Sequence, residues 1–260
     1  MSKQIEELKQ ILQAKIHRFG YFEGGAVGVK LPKYDLYPRD YLEFAESGIT
    51  NGDTKKLIEC VGNLKRATDC QIDMFIYACG MGKYFKKWKL GIDKKLEFLR
   101  GVGVFDSRTL SRVNSIRNRM EHRYEIPKIK DIEAYFDLVL AFVSIVESSI
   151  VQLAKNDIVY ASMIKGSNGW GFYTNSDPKE FLTVKYDFEK PEFYIRYESR
   201  PTNNKGKNVK LKKENPTPVL QEWSATPSTN YDDFVYYFRV FNLLWQKEAY
   251  ASDKHIIARL

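Results

Sequence analysis

The hydrophobic pattern of this chain changes period once, near Lys155, and that change constrains the fold more than any single motif. Before it, apolar residues recur every three to four positions, as an amphipathic helix requires. Beyond it, Leu182-Thr183-Val184-Lys185-Tyr186 and Phe193-Tyr194-Ile195-Arg196-Tyr197 alternate, or nearly alternate, apolar with polar residues, as half-buried strands do. Helices kept apart from strands along a chain give an α+β protein. The expectation is a helical domain in residues 1–155, its first helix an N-terminal extension. A smaller, antiparallel β-rich domain in 156–260 follows, closed by a helix. At 260 residues the chain can bury one large core or two ordinary ones.

Within the first part, Ile5, Leu8, Ile11, Leu12 and Ile16 predict a helix over 3–18. Gly20, Gly24, Gly25 and Gly28, then Pro32 and Pro38, predict loop or a short strand over 19–38. No Gly-Lys-Ser/Thr accompanies those glycines, so they read as turns rather than a phosphate cradle. A short helix is expected near 39–47. A long one over 53–80 opens at Asp53 or Thr54 and ends at Gly80, and a third lies near 92–101, closed by Gly101 and Gly103. Asp106 can cap a helix over 107–123. After Pro127 comes a helix over 129–155. Its apolar residues Ile132, Phe136, Val139, Leu140, Phe142, Val143 and Val146 wrap more than one face, which suits burial in a bundle or a second, partner-facing surface. Strands are expected in 157–164 and 180–198, and a helix near 231–250.

Several function classes fall away on composition. The longest apolar run, Leu138 to Val146, is broken by Ser144 and ends at Glu147, so no membrane span is expected. The first residues lack an apolar stretch behind a basic start, which argues against secretion and for the cytoplasm. Cys60, Cys70 and Cys79 are odd in number and form no C-x-x-C pair, so they read as core residues in a reducing compartment. No His/Asp/Glu cluster has ligand spacing, so neither a metal nor another cofactor is expected. The net charge of +8 suits a polyanionic partner. Lys83, Lys86, Lys87 and Lys89 interleave with Tyr84, Phe85 and Trp88, a pattern for phosphate contact and base stacking, or for a helix end with its aromatics turned inward. Lys205, Lys207, Lys210, Lys212 and Lys213 form a second cluster, either a substrate-binding loop or a solvated hairpin tip.

The run Arg117-Asn118-Arg119-Met120-Glu121-His122-Arg123-Tyr124 carries the chemistry. Only three histidines occur, and His17 and His255 lie near the ends in featureless contexts. A histidine trades protons near neutrality, and an arginine holds a phosphate through a fork of donors. A histidine at a helix end and a solvated arginine face are the plainer reading of the same residues.

The run resembles the signature of the HEPN superfamily: an arginine, four to six residues, then a histidine, often with a polar residue directly after the arginine. The resemblance covers this motif and the helical layout of about 40–155. It implies a helical domain and a metal-independent endoribonuclease of the toxin and phage-defence kind, with Arg117, Asn118 and His122 as catalytic residues. It also implies a homodimer whose two motif helices build one composite cleft. RNA is the implied partner, with an antitoxin or regulatory partner unidentified. The helix geometry is compatible with that: Asn118 and His122 share a face one turn apart, whereas Arg117 falls roughly 140° round from His122. In the implied reaction the RNA 2′-hydroxyl attacks its own 3′ phosphate, His122 acts as general acid or base, and Arg117 steadies the charge on the phosphoryl oxygens. Glu121 and Tyr124 are secondary, the first read as a surface ion-pair partner and the second as a packing aromatic. Two other functions fit the same sequence: a catalytically silent helical module that holds nucleotides or a partner protein, and a sensor whose working half is the β-rich part.

Overall fold

The computed structural model describes residues 2–51, 53–105, 123, 126, 128–166, 169–171, 179–200 and 218–260. The chain is α+β. It forms two compact units, one from Val29–Leu153 and one from Met1–Gly28 joined with Ala154–Leu260.

The helical unit is assembled around one long helix. Helices α3 (Thr54–Ala78), α5 (Ile92–Gly101) and α6 (Ile129–Leu153) follow the expected segments closely, and α2 (Pro38–Asn51) runs past the expected end at 47. A short helix α4 (Gly82–Lys87), for which no separate helix was expected, forms in the basic-aromatic segment. Asp53 caps α3, its carboxylate accepting the Lys56 N–H at 2.8 Å. Gly80 leaves the helix at φ 67°, a conformation that favours glycine. The inward stripe of α3 (Leu57, Val61, Leu64, Phe75) packs against α2, α5 and α6. Arg39 of α2 grips Glu147 of α6 through two hydrogen bonds of 3.0 and 2.5 Å. Of the expected helix over 107–123, only Arg123 is described, and it is helical.

By length and composition the segment Lys130–Leu153 of α6 could cross a membrane, which the sequence expectation of no spanning stretch did not allow for. Beyond the polar residues that bound the run Leu138–Val146, further apolar residues lie at Ala134, Tyr135 and Phe136 before it and at Ile150, Val151 and Leu153 after it. In the bundle 28% of the segment's apolar window is buried, with Val139, Phe142, Val143 and Val146 fully covered by protein.

The second unit opens with α1 (Lys3–Lys15), continued by a 3-10 turn at Ile16–Arg18. Strand β1 (Phe19–Gly25) then pairs antiparallel with β2 (Asp157–Ser162). The full sheet runs β1-β2-β5-β6-β7, with β5 at Glu180–Asp187, β6 at Glu192–Ser199 and β7 at Val219–Ala225. A separate hairpin joins β3 (Ile164–Gly166) to β4 (Gly169–Gly171). Every pairing among the described residues is antiparallel. Register aligns Ile158, Val184, Ile195 and Trp223 in one row across four strands. Beside that row, Tyr186 and Phe193, 4.5 Å apart, meet Phe234 and Phe238 of α7 (Tyr231–Glu248) with ring centroids 5.2 to 6.1 Å apart. A last short helix, α8 (Asp253–Arg259), ends the chain.

The boundary therefore differs from the expected split at residue 155. The N-terminal helix and β1 belong to the sheet unit, not to the helical one. Strand order explains the difference: β1 supplies the edge beside β2, and α1 buries Ile5, Leu8 and Leu12 in that unit's core. Such pairing across more than a hundred residues leaves no trace in local periodicity.

Two glycines test the packing of the helical unit. A Cβ on Gly48 of α2 would stand 2.8 Å from the Lys56 carbonyl oxygen, whereas one on Gly62 of α3 would meet nothing closer than 3.5 Å. Gly48→Ala should lower unfolding free energy by about 1–3 kcal/mol through overpacking. Gly62→Ala should raise it by up to about 1 kcal/mol through helix propensity. Urea denaturation of the two variants checks both signs.

Candidate functional site

Arg117, Asn118 and His122 lie outside the described residues, as do Glu121, Tyr124 and the five lysines Lys205, Lys207, Lys210, Lys212 and Lys213. The frame that brackets the motif is described. On its N-terminal side Phe105 packs edge-on against Phe142 of α6, with centroids 5.0 Å apart. On its C-terminal side the Lys128 carbonyl accepts the N–H groups of Asp131 and Ile132 at 3.0 and 3.2 Å and starts α6. The segment that carries the motif is thus fixed at both ends to one helix, itself held by Arg39–Glu147 and a buried apolar face. The opposite face of α6 carries Ala134, Leu138, Ala141 and Ile145 at spacings of four, three and four, with Leu138 half-buried and the other three exposed.

The first lysine cluster lies wholly within the described residues. In α4 and the turn after it, Phe85 points into the core, 5.8 Å from Phe98, while Trp88 is 58% exposed. Of the aromatics in this cluster, one is thus turned inward and another is left in solvent. Lys83, Lys86, Lys87 and Lys89 are exposed, and none is in an ion pair among the described residues.

A polar cluster that sequence reasoning missed sits where β5 begins and β6 ends. Glu180 is 7% exposed and Tyr197 3%. One Glu180 oxygen accepts from both Lys15 Nζ and the Tyr197 hydroxyl, the latter at 2.6 Å, and the other meets Arg18 Nη2 at 2.6 Å. Lys15 also lies over the Tyr197 ring, 4.7 Å from its centroid. Burial works against ionisation of both Glu180 and Lys15. The mutual hydrogen bonds and charges outweigh it, holding the carboxyl below its ordinary value and the amine above its own. Both groups are therefore charged at neutral pH, and the cluster staples α1 to the sheet instead of offering a proton to a substrate. Its partners are 165 and 17 residues apart in sequence, so no local signal could have found it.

None of the three cysteines is in a disulfide. Burial pushes the Cys60 and Cys70 thiols up to about 11 and holds Cys79 well above its ordinary value, so none is a ready nucleophile at neutral pH. Among the described residues no three His, Cys, Asp or Glu side chains come together as a metal site would require. Comparison with protein-family models, with curated proteins and with solved structures finds no match to this chain.

The staple has a definite pH signature. A carboxyl held below its ordinary value of 4.5 contributes stability that is present above that value and is lost as pH falls through the lower, folded one. Glu180→Gln should cost about 2–3 kcal/mol at pH 7, because it leaves Lys15 and Arg18 without their counter-charge. The gap between wild type and variant should narrow as pH falls below the ordinary carboxyl value of 4.5. Thermal unfolding at a series of pH values reads this directly, and a gap that stays constant from pH 7 to pH 3 would remove the charge from the explanation.

Proposed function

We propose that this chain is an endoribonuclease of HEPN type that cleaves RNA without a metal ion and works as a homodimer. The observation that carries the reading is the run from Arg117 to His122, set in a compact helical unit of its own, Val29–Leu153. The side chains match the chemistry of RNA self-cleavage. The 2′-hydroxyl gives up its proton and bonds to the adjacent phosphorus; the bond to the 5′ oxygen breaks, and that oxygen takes a proton. The products are a 2′,3′-cyclic phosphate and a 5′-hydroxyl. His122 serves one of these proton transfers, Asn118 one turn away orients it, and Arg117 stabilises the charge on the phosphoryl oxygens.

The homodimer follows from two supports. On the helix expected from the sequence, Arg117 would fall roughly 140° round from His122, so one such helix would not aim both at one phosphate. The exposed stripe of Ala134, Ala141 and Ile145 gives α6 apolar surface to bury against a second copy. In this reading Lys205, Lys207, Lys210, Lys212 and Lys213 hold RNA through its phosphates. The setting is toxin activity or phage defence in the cytoplasm, where the thiols of Cys60, Cys70 and Cys79, none of them in a disulfide, stay reduced. An antitoxin or regulatory partner belongs to that setting.

Cleavage of RNA should survive EDTA and leave a cyclic phosphate, and His122→Ala should slow it by about 10²–10⁴-fold while RNA stays bound. Gel analysis with end-group mapping checks both; activity abolished by EDTA and restored by magnesium would refute the assignment of His122. Replacing the five lysines of 205–213 with glutamine should weaken RNA binding and flatten its salt dependence, leaving turnover at saturating RNA nearly unchanged.

A further inference from the structure

Between Asp73 and Asp93 the chain has no acidic residue, and it holds four lysines, one tryptophan and an exposed turn at Trp88–Lys89 directly after α4. The helix dipole accounts for part of this at most. Lys86 and Lys87 stand in the last turn, where a cation is favoured, but Lys83 stands in the first turn, where it is not, and Lys89 lies beyond the helix. The turn itself is tied to the core. Leu90 N–H closes on the Phe85 carbonyl at 3.0 Å, and Phe85 is buried against Phe98. Lys89 occupies φ 50°, a left-handed conformation that glycine would take at lower cost. A lysine thus occupies a strained position, beside an indole left in solvent.

We infer that the α4 turn is a binding subsite for single-stranded nucleic acid, with Trp88 as the stacking surface for one base and Lys83, Lys86, Lys87 and Lys89 as partners for the flanking phosphates. An aromatic ring surrounded by cations is how sequence-tolerant single-strand sites are built, because every base has a flat face and every nucleotide a phosphate. Lys87 already lies 5.6 Å from the indole centroid, so the ring carries a cation on one side and can take a base on the other. A membrane surface would also attract lysines and a tryptophan. It fits less well, since Phe85 is buried and Trp88 is the one large apolar side chain in the turn that is mostly in solvent. The subsite is independent of the cleavage chemistry, which makes it separable from the ribonuclease reading.

The test uses the full chain and a fluorescent 2′-O-methyl RNA 12-mer, which lacks the attacking hydroxyl and so reports binding alone. Trp88→Ala should weaken binding by roughly 5- to 150-fold, and Trp88→Phe, which keeps a ring, should recover most of that affinity. Changing the four lysines to glutamine should reduce the slope of log affinity against log salt by roughly 0.7 for each phosphate no longer neutralised. Thermal unfolding of each variant should match wild type, since the altered side chains are exposed. Variants that bind the oligonucleotide with wild-type affinity and slope would overturn the proposal. So would capture by phosphatidylserine vesicles that depends on Trp88 while oligonucleotide binding does not. A failure of the His122 experiment would leave this result standing, because no bond is cut in it.

Discussion

Pairing of β1 with β2 is the constraint on which the rest of the architecture depends. It brings Phe19 opposite Ser162 and Gly25 opposite Asp157, and the Val27 N–H then meets the Ala154 carbonyl at 2.8 Å. The chain leaves the sheet unit and returns to it at adjacent points, so the helical unit is an insertion between two strands of one sheet. The approach is close enough to dictate residue type: a Cβ on Gly24 would stand 2.7 Å from the Asp157 carbonyl oxygen. The cluster of Lys15, Arg18, Glu180 and Tyr197 fixes the same N-terminal segment to β5 and β6.

An insertion whose ends are joined can carry its own core, and here it does. The bundle is organised by α3, whose buried stripe packs on helices before and after it in sequence, while the sheet unit is organised by the aromatic stack of Tyr186, Phe193, Phe234 and Phe238. The division suits the proposed function: the Arg117–His122 run and the α4 turn belong to the inserted helical unit, and the 203–213 lysines follow β6 of the sheet unit. In that reading chemistry and one strand-binding surface reside in one unit, and a second set of phosphate-binding lysines in the other.

Local rules made much of this legible. Asp53 and Gly80 marked the two ends of α3 because capping and left-handed exit are written in single residues. Alternation in β5 and β6 assigned both strands their inward face, since Leu182, Val184, Phe193 and Ile195 are all fully buried. Strand β7 was not foreseen, because Val219 and Leu220 are exposed and its inward residues are reduced to Trp223 and Ala225 at the edge of the sheet. Strand β1 was ambiguous for a similar reason: its glycines read as turns, yet Gly24 is required by the close approach of β2. The true division of the chain, and the Lys15–Glu180 contact, depend on residues far apart in sequence that no local pattern links. Of the site, the motif and both lysine clusters were visible in the residues alone. Which aromatic of the α4 turn points outward was not, because burial of Phe85 depends on Phe98 in another helix.

The central claim is that Arg117 of one subunit and His122 of the other share one active cleft. It is tested most directly by complementation between two inactive variants, Arg117→Ala and His122→Ala, co-expressed so that mixed dimers form. Each mixed dimer would retain one intact pairing of wild-type arginine with wild-type histidine. With random assortment, activity should return to roughly a quarter of wild type. A mixture as inactive as either parent, with mixed dimers present by mass spectrometry, would contradict the composite cleft.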